Sequence, residues 1–430
     1  MSTQPPVTSW GDLARLVGAV AGGVVRHRGE FSMRSTFRGW ARGAAERHGS
    51  PNIVLNFGVK KLLLVGSPDL SEGILALRPS PDGVTTGEMK RKGMSFLAPH
   101  ALTISDGAAW DQLRAHNERV LEPGRPHEME GDFLRSVAEA FRAPVRNRAD
   151  IQAAMGRSML GIVFGGKAPP EIVKDVDALF GLVQNPAKRA LLGWQQAPRR
   201  ARVYNSLRTL WRDPAAVRTA SLLAMAHRSA QGTSPAIDET VLLEQFPHWM
   251  FTFTGSGTDL VTRTLTLILS DNSVRERVER EIADAGGIDS ASAIGKLPLL
   301  DACLAEAGRL FPPVTKTFHQ APHGASVRNV ALPAGMDILH SLPLISLNGD
   351  APSARRFQPA TQSAESSTTS FDPFLGGARR CPGRSLITFV SKTALAILIT
   401  RQHLMLAGPP LPTSALPLEF PSQSATFRPA

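Results

Sequence analysis

The run Phe374-Leu-Gly-Gly-Ala-Arg-Arg-Cys-Pro-Gly383 decides how the rest of the chain is read. It sets Cys381 at the mouth of a glycine-rich turn, two residues after Arg379 and just ahead of a long apolar helical pattern. A thiolate is a soft, anionic metal ligand that must be kept deprotonated and unoxidised. Arg379 and Arg380 bring positive charge, and the turn of Gly376, Gly377, Pro382 and Gly383 can aim backbone N–H groups at the sulfur. The helix beginning near Arg384 adds the positive end of its dipole. Phe374 shields one side from water. A sulfur arranged in this way suits the iron of a haem, where a thiolate donates electron density that favours O–O cleavage.

Phe374, Gly377, Arg379, Cys381 and Gly383 fill every fixed position of the pattern F-x-x-G-x-R-x-C-x-G. This resembles the haem-binding signature of the cytochrome P450 family. The resemblance implies haem b, with Cys381 as axial ligand of the iron and Phe374, Arg379 and Gly383 beside the cofactor. It also implies a mainly α fold with a small β subdomain (α+β), the cytochrome P450 fold. The competing reading is a Gly/Pro turn around a buried structural cysteine.

Composition agrees with a large globular protein. The 430 residues are 42% hydrophobic and 20% charged, enough for a sizeable core. Two cysteines, Cys303 and Cys381, cannot build a disulfide framework or a zinc cluster, so a reducing cytoplasm is the simplest compartment. The net charge of +11 invites a nucleic-acid partner. Arginines scattered through helical segments, with a single tyrosine and no recognition module, speak against one. A basic face for an acidic electron carrier, or an arginine-rich genome, accounts for the charge instead. Leu13–Val25 is apolar but broken by Arg15 and too short to span a bilayer, which leaves peripheral membrane contact or an ordinary packed helix. No cleavage site for a secretion signal follows it.

Along the chain, helical patterns dominate. Residues 1–50 are expected to form an N-terminal helical segment packing on or leading into one domain, 51–430. Asn52–Val65 has strand character around Gly58, Pro68–Leu77 predicts a short helix, and Pro79–Ala98 is loop-rich. Helices are expected over Asp111–Val120, Gly131–Phe141, Ile151–Val163, Ile172–Val183 and Pro198–Ser229, then over Val241–Leu269, Val274–Ala285 and Leu297–Leu310. Val314–Leu347 shifts to short strands and turns, and Ser385–Thr400 predicts a core helix that carries Lys392. Thr361–Ser370 is a short Ser/Thr-rich stretch.

Three further constellations carry chemistry. Glu306 and Arg309 sit at i and i+3, on one helical face ahead of Phe311-Pro-Pro313, where they can pair. The resemblance implies that this ion pair lies behind the cysteine turn and is joined by Arg355 or Arg356. Trp110 and Arg114, at i and i+4, can both face one haem edge, and their N–H groups suit propionate carboxylates. Arg379 is a further propionate partner. His319 occupies the place where the family commonly has an arginine, and His100 is either another contact or a plain loop histidine.

The third lies in Phe253-Thr-Gly-Ser-Gly-Thr258. The family's oxygen-binding helix reads small-Gly-x-acid-Thr, and its threonine hydroxyl bonds the carbonyl four residues back. Here Thr254 replaces the small residue, Gly257 stands where the acid should be, and Thr258 supplies the alcohol. Asp259 follows the threonine, about 100° further round the helix, so it is expected to point away from the iron. Ser256, water or a substrate hydroxyl could relay protons in its stead. The glycines suggest room for a ligand, a kink or close helix packing.

The resemblance implies a monooxygenase that hydroxylates or epoxidises an apolar organic substrate in secondary-metabolite biosynthesis. Electrons would come from a separate ferredoxin and ferredoxin reductase to a monomeric, cytoplasmic protein without a transmembrane anchor. Substrate contacts are expected from Pro79–Leu102, Phe180–Leu192, Met250–Thr254 and Val314–Phe318. The absent acid motivates an alternative, a haem-thiolate enzyme that couples, rearranges or uses peroxide. A non-catalytic haem sensor or carrier is the reading from another class.

Overall fold

The structure is a computed structural model that describes residues 4–26, 33–58, 60–183, 186–232, 235–346, 352–359, 372–412 and 415–430. The Ser/Thr-rich stretch Thr361–Ser370 lies outside the described residues, as does Leu347 at the end of the expected strand region.

A five-stranded sheet joins the two ends of the chain. Its strands are β1 (Ile53–Asn56), β2 (Lys61–Val65), β3 (Thr85–Thr86), β4 (Lys316–Ala321) and β7 (Met336–Ser341), in the order β1-β2-β7-β4-β3. The short hairpin of β5 (Ala325–Val327) and β6 (Val330–Leu332) projects between β4 and β7, and β8 (Leu404–Leu406) pairs with β9 (Phe427–Pro429). The β1–β2 hairpin turns at Gly58, whose φ of +82° suits glycine. β2 runs parallel to β7, with Leu63 opposite Ile338, while β4 is antiparallel to β7. Alternation along β4 buries Thr317, His319 and Ala321, which places His319 on the inner face.

Helices build the larger body. Arg148–Phe164, Thr258–Ser270, Pro298–Leu310 and Arg384–Thr400 share one core, in which Met155, Met159, Leu265, Ile268, Leu300, Leu304, Leu395 and Leu398 are buried. Several helix starts carry a side-chain cap. Ser67 accepts from Leu70 N to cap Pro68–Ala76, and Asn147 accepts from Ala149 N and Asp150 N at 2.9 and 3.1 Å. Lys392, buried as expected in the last helix, pairs with Asp301 at 3.0 Å.

The structure departs from the sequence expectation in several places, among them Leu342–Ser346, a helix inside the expected strand region, and Val241–Leu269, which is divided rather than one helix. Pro79–Ala98 is not simply loop: it holds β3 and the helix Glu88–Met94. Pro198–Ser229 is not one helix. Ala197–Arg212 stops at Asp213, whose ψ of 113° is extended, and helix resumes only at Leu222–Gln231. Pro214 causes the break, because its ring disfavours αR at the residue before it and it lacks an N–H.

The N-terminal helices Trp10–Arg26 and Met33–His48 precede the sheet. Thr8 N donates to Val54 O and Val54 N to Pro6 O, both at 2.8 Å, and Trp40, Ala41 and Ala44 share a core with Ile53, Leu55 and Leu64. No helix among the described residues is long and apolar enough to cross a membrane.

Candidate haem site

The cysteine turn is stapled by its own backbone. Cys381 N donates to Phe374 O at 2.9 Å and Leu375 N to Asp372 O at 2.9 Å. Arg384 binds Asp372 at 2.8 Å and lies over the Phe374 ring, 5.7 Å from its centre. Gly377 has φ +58°, and a Cβ there would lie 2.5 Å from Ala76 Cα and 2.6 Å from Leu75 O. The turn is therefore pressed onto the Pro68–Ala76 helix at a point only glycine can occupy. Gly308 plays the same part from the Pro298–Leu310 helix, since a Cβ would meet Pro373 at 2.8 Å.

Burial pushes the Cys381 thiol up, while the Gly383 N–H, Arg114 and Arg384 pull it down and Asp372 opposes them. The cations that bear on the sulfur are thus Arg114 and Arg384, where the sequence had suggested Arg379 and Arg380. Cys303 is fully buried in the core, and burial with Glu281 nearby drives its thiol up. Cys381, by contrast, lies in the turn and is only partly covered.

Arg379 points elsewhere, donating to Val84 O at 2.6 Å while its Nε is buried without a partner. Near it lie His319 and His340, with ring centres 4.8 Å apart. Burial first, then His340 and Arg379, keep His319 neutral, and its ring nitrogens meet no partner at hydrogen-bonding geometry. Lys90, on Glu88–Met94, is pushed down to about 8 by burial and by Arg379. Asp106 is the carboxylate that opposes this charge, but it already accepts from Thr86 N and pairs with Arg91. Buried cationic groups in excess are costly until an anion joins them. Two carboxylates with an apolar body satisfy that demand, and the propionates of haem b are such a pair.

Trp110 and Arg114 face each other, the guanidinium 5.9 Å from the indole centre. Arg114 also donates to Glu118 at 2.6 Å and to Arg380 O at 2.5 Å, tying its helix to the cysteine turn. His100 is held by Glu244 through its backbone N–H and its ring, as expected of a loop histidine. The Glu306–Arg309 pair is bidentate, with both contacts at 2.7 Å. The coil 352–359 joins it through backbone: Ala354 O and Arg356 O accept from Arg309, and Gln358 N donates to Glu306. The Arg355 guanidinium reaches Leu416 O instead.

On the central helix, Phe253–Gly257 forms a π turn between Gln245–Thr252 and Thr258–Ser270. Its glycines are packing glycines: a Cβ on Gly255 would meet Phe251 at 2.7 Å, and one on Gly257 would meet Ile387 at 2.8 Å and Met155 at 3.0 Å. Thr262, Thr264 and Thr266 each bond the carbonyl four residues back at 2.7–2.8 Å. Thr258 departs from the expected bond to Thr254 O. Its hydroxyl is buried without a partner. The π turn explains this, because the extra residue rotates the carbonyls preceding Thr258 out of register. Asp259 binds Arg148 at 2.8 Å and Arg263 at 2.9 Å, turned aside as expected. Ser256 is half-buried.

The expected substrate segments converge. A Cβ on Gly87 would touch Phe318 at 2.9 Å, Gly193 packs on Phe96, and Phe180 stacks on Phe251. His248, on Gln245–Thr252, is pushed down to about 4 by burial and by Lys90, and its Nδ1 has no partner. Sequence reasoning missed Lys90, His248 and His340. Lys90 sits in a Lys90-Arg-Lys92 run with no periodic signal, and nothing local announces it.

A helical body with a small mixed sheet carries a clamped cysteine turn and a cluster of cations that suits an anion. Comparisons agree. The family model described as Cytochrome P450 matches residues 225–414. Cytochrome P450 734A5 of Oryza sativa subsp. japonica is 26% identical over 181 residues, covering 39% of this chain and 33% of the relative. Cytokinin hydroxylase of Arabidopsis thaliana is 27% identical, covering 35% and 31% respectively. The match thus spans about a third of the length of these curated relatives. The crystal structure of the cytochrome P450 CYP102L1 aligns over 100% of this chain and 98% of its own, with TM-score 0.72 at 17% identity. A retinoic-acid-bound cyanobacterial CYP120A1 aligns over 99% of each chain, with TM-score 0.70 at 18% identity. Residues 225–414 thus match the cytochrome P450 family model, and the fold is that of solved cytochrome P450 structures.

Proposed function

We propose that the protein is a haem-thiolate monooxygenase that hydroxylates or epoxidises an apolar organic molecule. For hydroxylation the balance is RH + O2 + 2 electrons + 2 protons giving ROH + H2O. The observation that carries this reading is the clamped turn of Cys381, whose following helix packs through Ile387 on Gly257 of the central helix, next to the buried, unclaimed Thr258 hydroxyl. Bound haem would supply the redox chemistry of dioxygen, tuned by its thiolate ligand.

The chain's own residues have distinct tasks. Cys381 holds the iron, with Phe374 and Gly383 beside it. Arg379, Lys90 and His319 orient the carboxylates on one edge, and Trp110 with Arg114 serve the other donors. Phe96, Phe180, Phe251 and Phe318 bring apolar surface that excludes water and favours an apolar substrate. Thr258 offers a free hydroxyl as a hydrogen-bond donor to the oxygen being reduced. Electrons arrive from a separate ferredoxin and its reductase, and the exposed arginines Arg125, Arg380 and Arg384 near the cysteine helix suit an acidic carrier. The two free cysteines fit a reducing cytoplasm. A tailoring role in secondary metabolism, carried out by a monomer, completes the reading.

Gly257 favours one other reading, a coupling, rearranging or peroxide-using enzyme, because the usual acid is absent. The test has two arms. Cys381→Ser must abolish the far-red-shifted Soret band of the reduced protein with carbon monoxide. The wild type, supplied with NADPH and a surrogate ferredoxin and reductase, must form oxygenated product in step with NADPH consumption. Product from peroxide alone, with none from NADPH, would favour the second reading.

A further inference from the structure

The central helix lacks an acid at residue 257, where a side chain would have to displace the ends of Ile387 and Met155, 2.8 and 3.0 Å from the Cβ position. A carboxyl reaches the same turn from another element. Asp177, on the helix Glu171–Val183, accepts a 2.7 Å hydrogen bond from Thr254 Oγ1, and that hydroxyl also lies 3.3 Å from Met250 O. Thr254 is four residues before Thr258, so both side chains fall near one face of the helix. Both are buried, and the Thr258 hydroxyl is unclaimed.

The surroundings of Asp177 leave its charge uncompensated. Gln152 hydrogen-bonds to it, and Arg148 is the cation that faces it from the Arg148–Phe164 helix. Arg148 is engaged with Asp259 at 2.8 Å and with Gln152 at 3.1 Å. From the helix Ala197–Arg212, Arg199 and Arg202 both bind Asp175. Gln245–Thr252, which also packs on this helix, contributes Phe251 against Phe180. Burial therefore dominates, and it pushes the Asp177 carboxyl up from its ordinary value despite Thr254, Gln152 and Arg148. A carboxyl so placed holds a proton more readily than a surface aspartate does.

We propose that Asp177 is the proton-holding carboxyl of this site, a positioning residue on a neighbouring helix that feeds protons to the central helix through Thr254. For delivery the hydrogen bond reverses: protonated Asp177 donates to Thr254 Oγ1, the Thr254 proton passes to a water on the far side, and Asp177 is reprotonated from solvent along its half-exposed edge beside Gln152 and Arg148. No electrons move in this relay. Both protons used per turnover come from solvent. The inference deepens the monooxygenase reading and rests on it.

The experiment compares wild type, Asp177→Asn, Thr254→Val and each of these two with Gly257→Asp added, all loaded with haem. Infrared difference spectra of the resting ferric protein, titrated with pH, give a readout without turnover. A protonated carboxyl band is expected in the wild type, absent from Asp177→Asn and displaced in Thr254→Val. Under turnover with NADPH and surrogate carriers, Asp177→Asn should lower the fraction of electrons recovered in product by about tenfold or more. It should also flatten the pH profile and raise the solvent deuterium effect, with haem content and the substrate-induced spin shift unchanged. Thr254→Val should act alike, and adding Gly257→Asp to either variant should not restore it. Survival of the band in Asp177→Asn, or unchanged coupling and pH profile in a wild type that does make product, overturns the inference. A wild type that makes no oxygenated product overturns the monooxygenase reading itself.

Discussion

Two glycines of the cysteine signature should respond to alanine in opposite ways. Gly377 has φ +58°, and a Cβ would fall 2.5 Å from Ala76 Cα, 2.6 Å from Leu75 O and 2.8 Å from Ala76 N. All three are backbone atoms of a helix, so no side-chain rotation relieves the clash. Left-handed backbone costs an L-residue about 1–2 kcal/mol, and overpacking a site that cannot yield adds about 1–3 kcal/mol. Gly377→Ala should therefore cost about 2–5 kcal/mol and lift the turn from the Pro68–Ala76 helix. Gly383 has φ −87°, and its added Cβ would come no closer than 3.9 Å, to Cys381 Sγ. Gly383→Ala should cost below about 1 kcal/mol. Urea unfolding followed by far-UV circular dichroism gives the two free energies, and the reduced carbon-monoxide spectrum gives the fraction of protein with thiolate ligation. Equal costs for the two variants, or a Gly377→Ala protein within about 0.5 kcal/mol of wild type, would refute the steric argument.

Glu306→Gln should destabilise by about 3 kcal/mol in the same unfolding assay, because it leaves the Arg309 charge without its counter-charge and replaces one accepting oxygen by an NH2 that faces the guanidinium. Lys90→Met should weaken haem retention, measured by transfer to an excess of apomyoglobin. The sign with pH is fixed: Lys90 sits near 8 without an anion, and carboxylates raise it. Haem uptake by wild type therefore takes up a proton above about pH 8, so affinity falls there by up to about tenfold per pH unit and is flat below; Lys90→Met should lack that slope. Asp12 is opposed by burial, yet His48, Arg47 and Ser9 outweigh it and hold the carboxyl well below its ordinary value. Its stabilisation is present above about pH 4 and lost as pH falls through the depressed value. Asp12→Asn should cost about 1–3 kcal/mol at neutral pH, and limited proteolysis should then cut first within the N-terminal helices.

Much of the fold was legible because it is written locally. The strand–Gly58–strand pattern, the Ser67-Pro68 helix start and the apolar run after Arg384 each contain their own signal, and each forms where expected. What stayed hidden depends on partners far away in sequence. The parallel pairing of β2 with β7 sets Leu63 beside Ile338, and nothing in either strand announces the other. The Glu88–Met94 helix lies in a stretch that reads as loop-rich because its sequence, Glu88-Met-Lys-Arg-Lys-Gly-Met94, has no apolar period and carries Gly93 in its last turn. Packing of Gly87 and Gly93 against distant segments holds it in place.

The site divides along the same line, with a consequence for chemistry. Cys381, Gly377 and the Glu306–Arg309 pair could be found because the covalent spacing itself is the device: a turn, a left-handed glycine, an i,i+3 pair. The charges around the haem edge and the proton path could not, since a field or a relay is made by whatever atoms arrive nearby, whichever strand or helix brings them. Lys90 comes to Arg379 across some 290 residues, and Asp177 comes to Thr254 across 77. A motif comparison sees only the missing acid at 257, and so favours a chemistry that needs no proton relay. The packing argues otherwise. The side-chain ends of Ile387 and Met155 lie where an acid at 257 would begin, and a carboxyl from the adjacent helix meets the same π turn three residues earlier. If proton supply rather than the motif is what the reaction requires, this chain should couple oxygen reduction to product with its acid on a different helix, and moving the acid back to 257 should gain nothing.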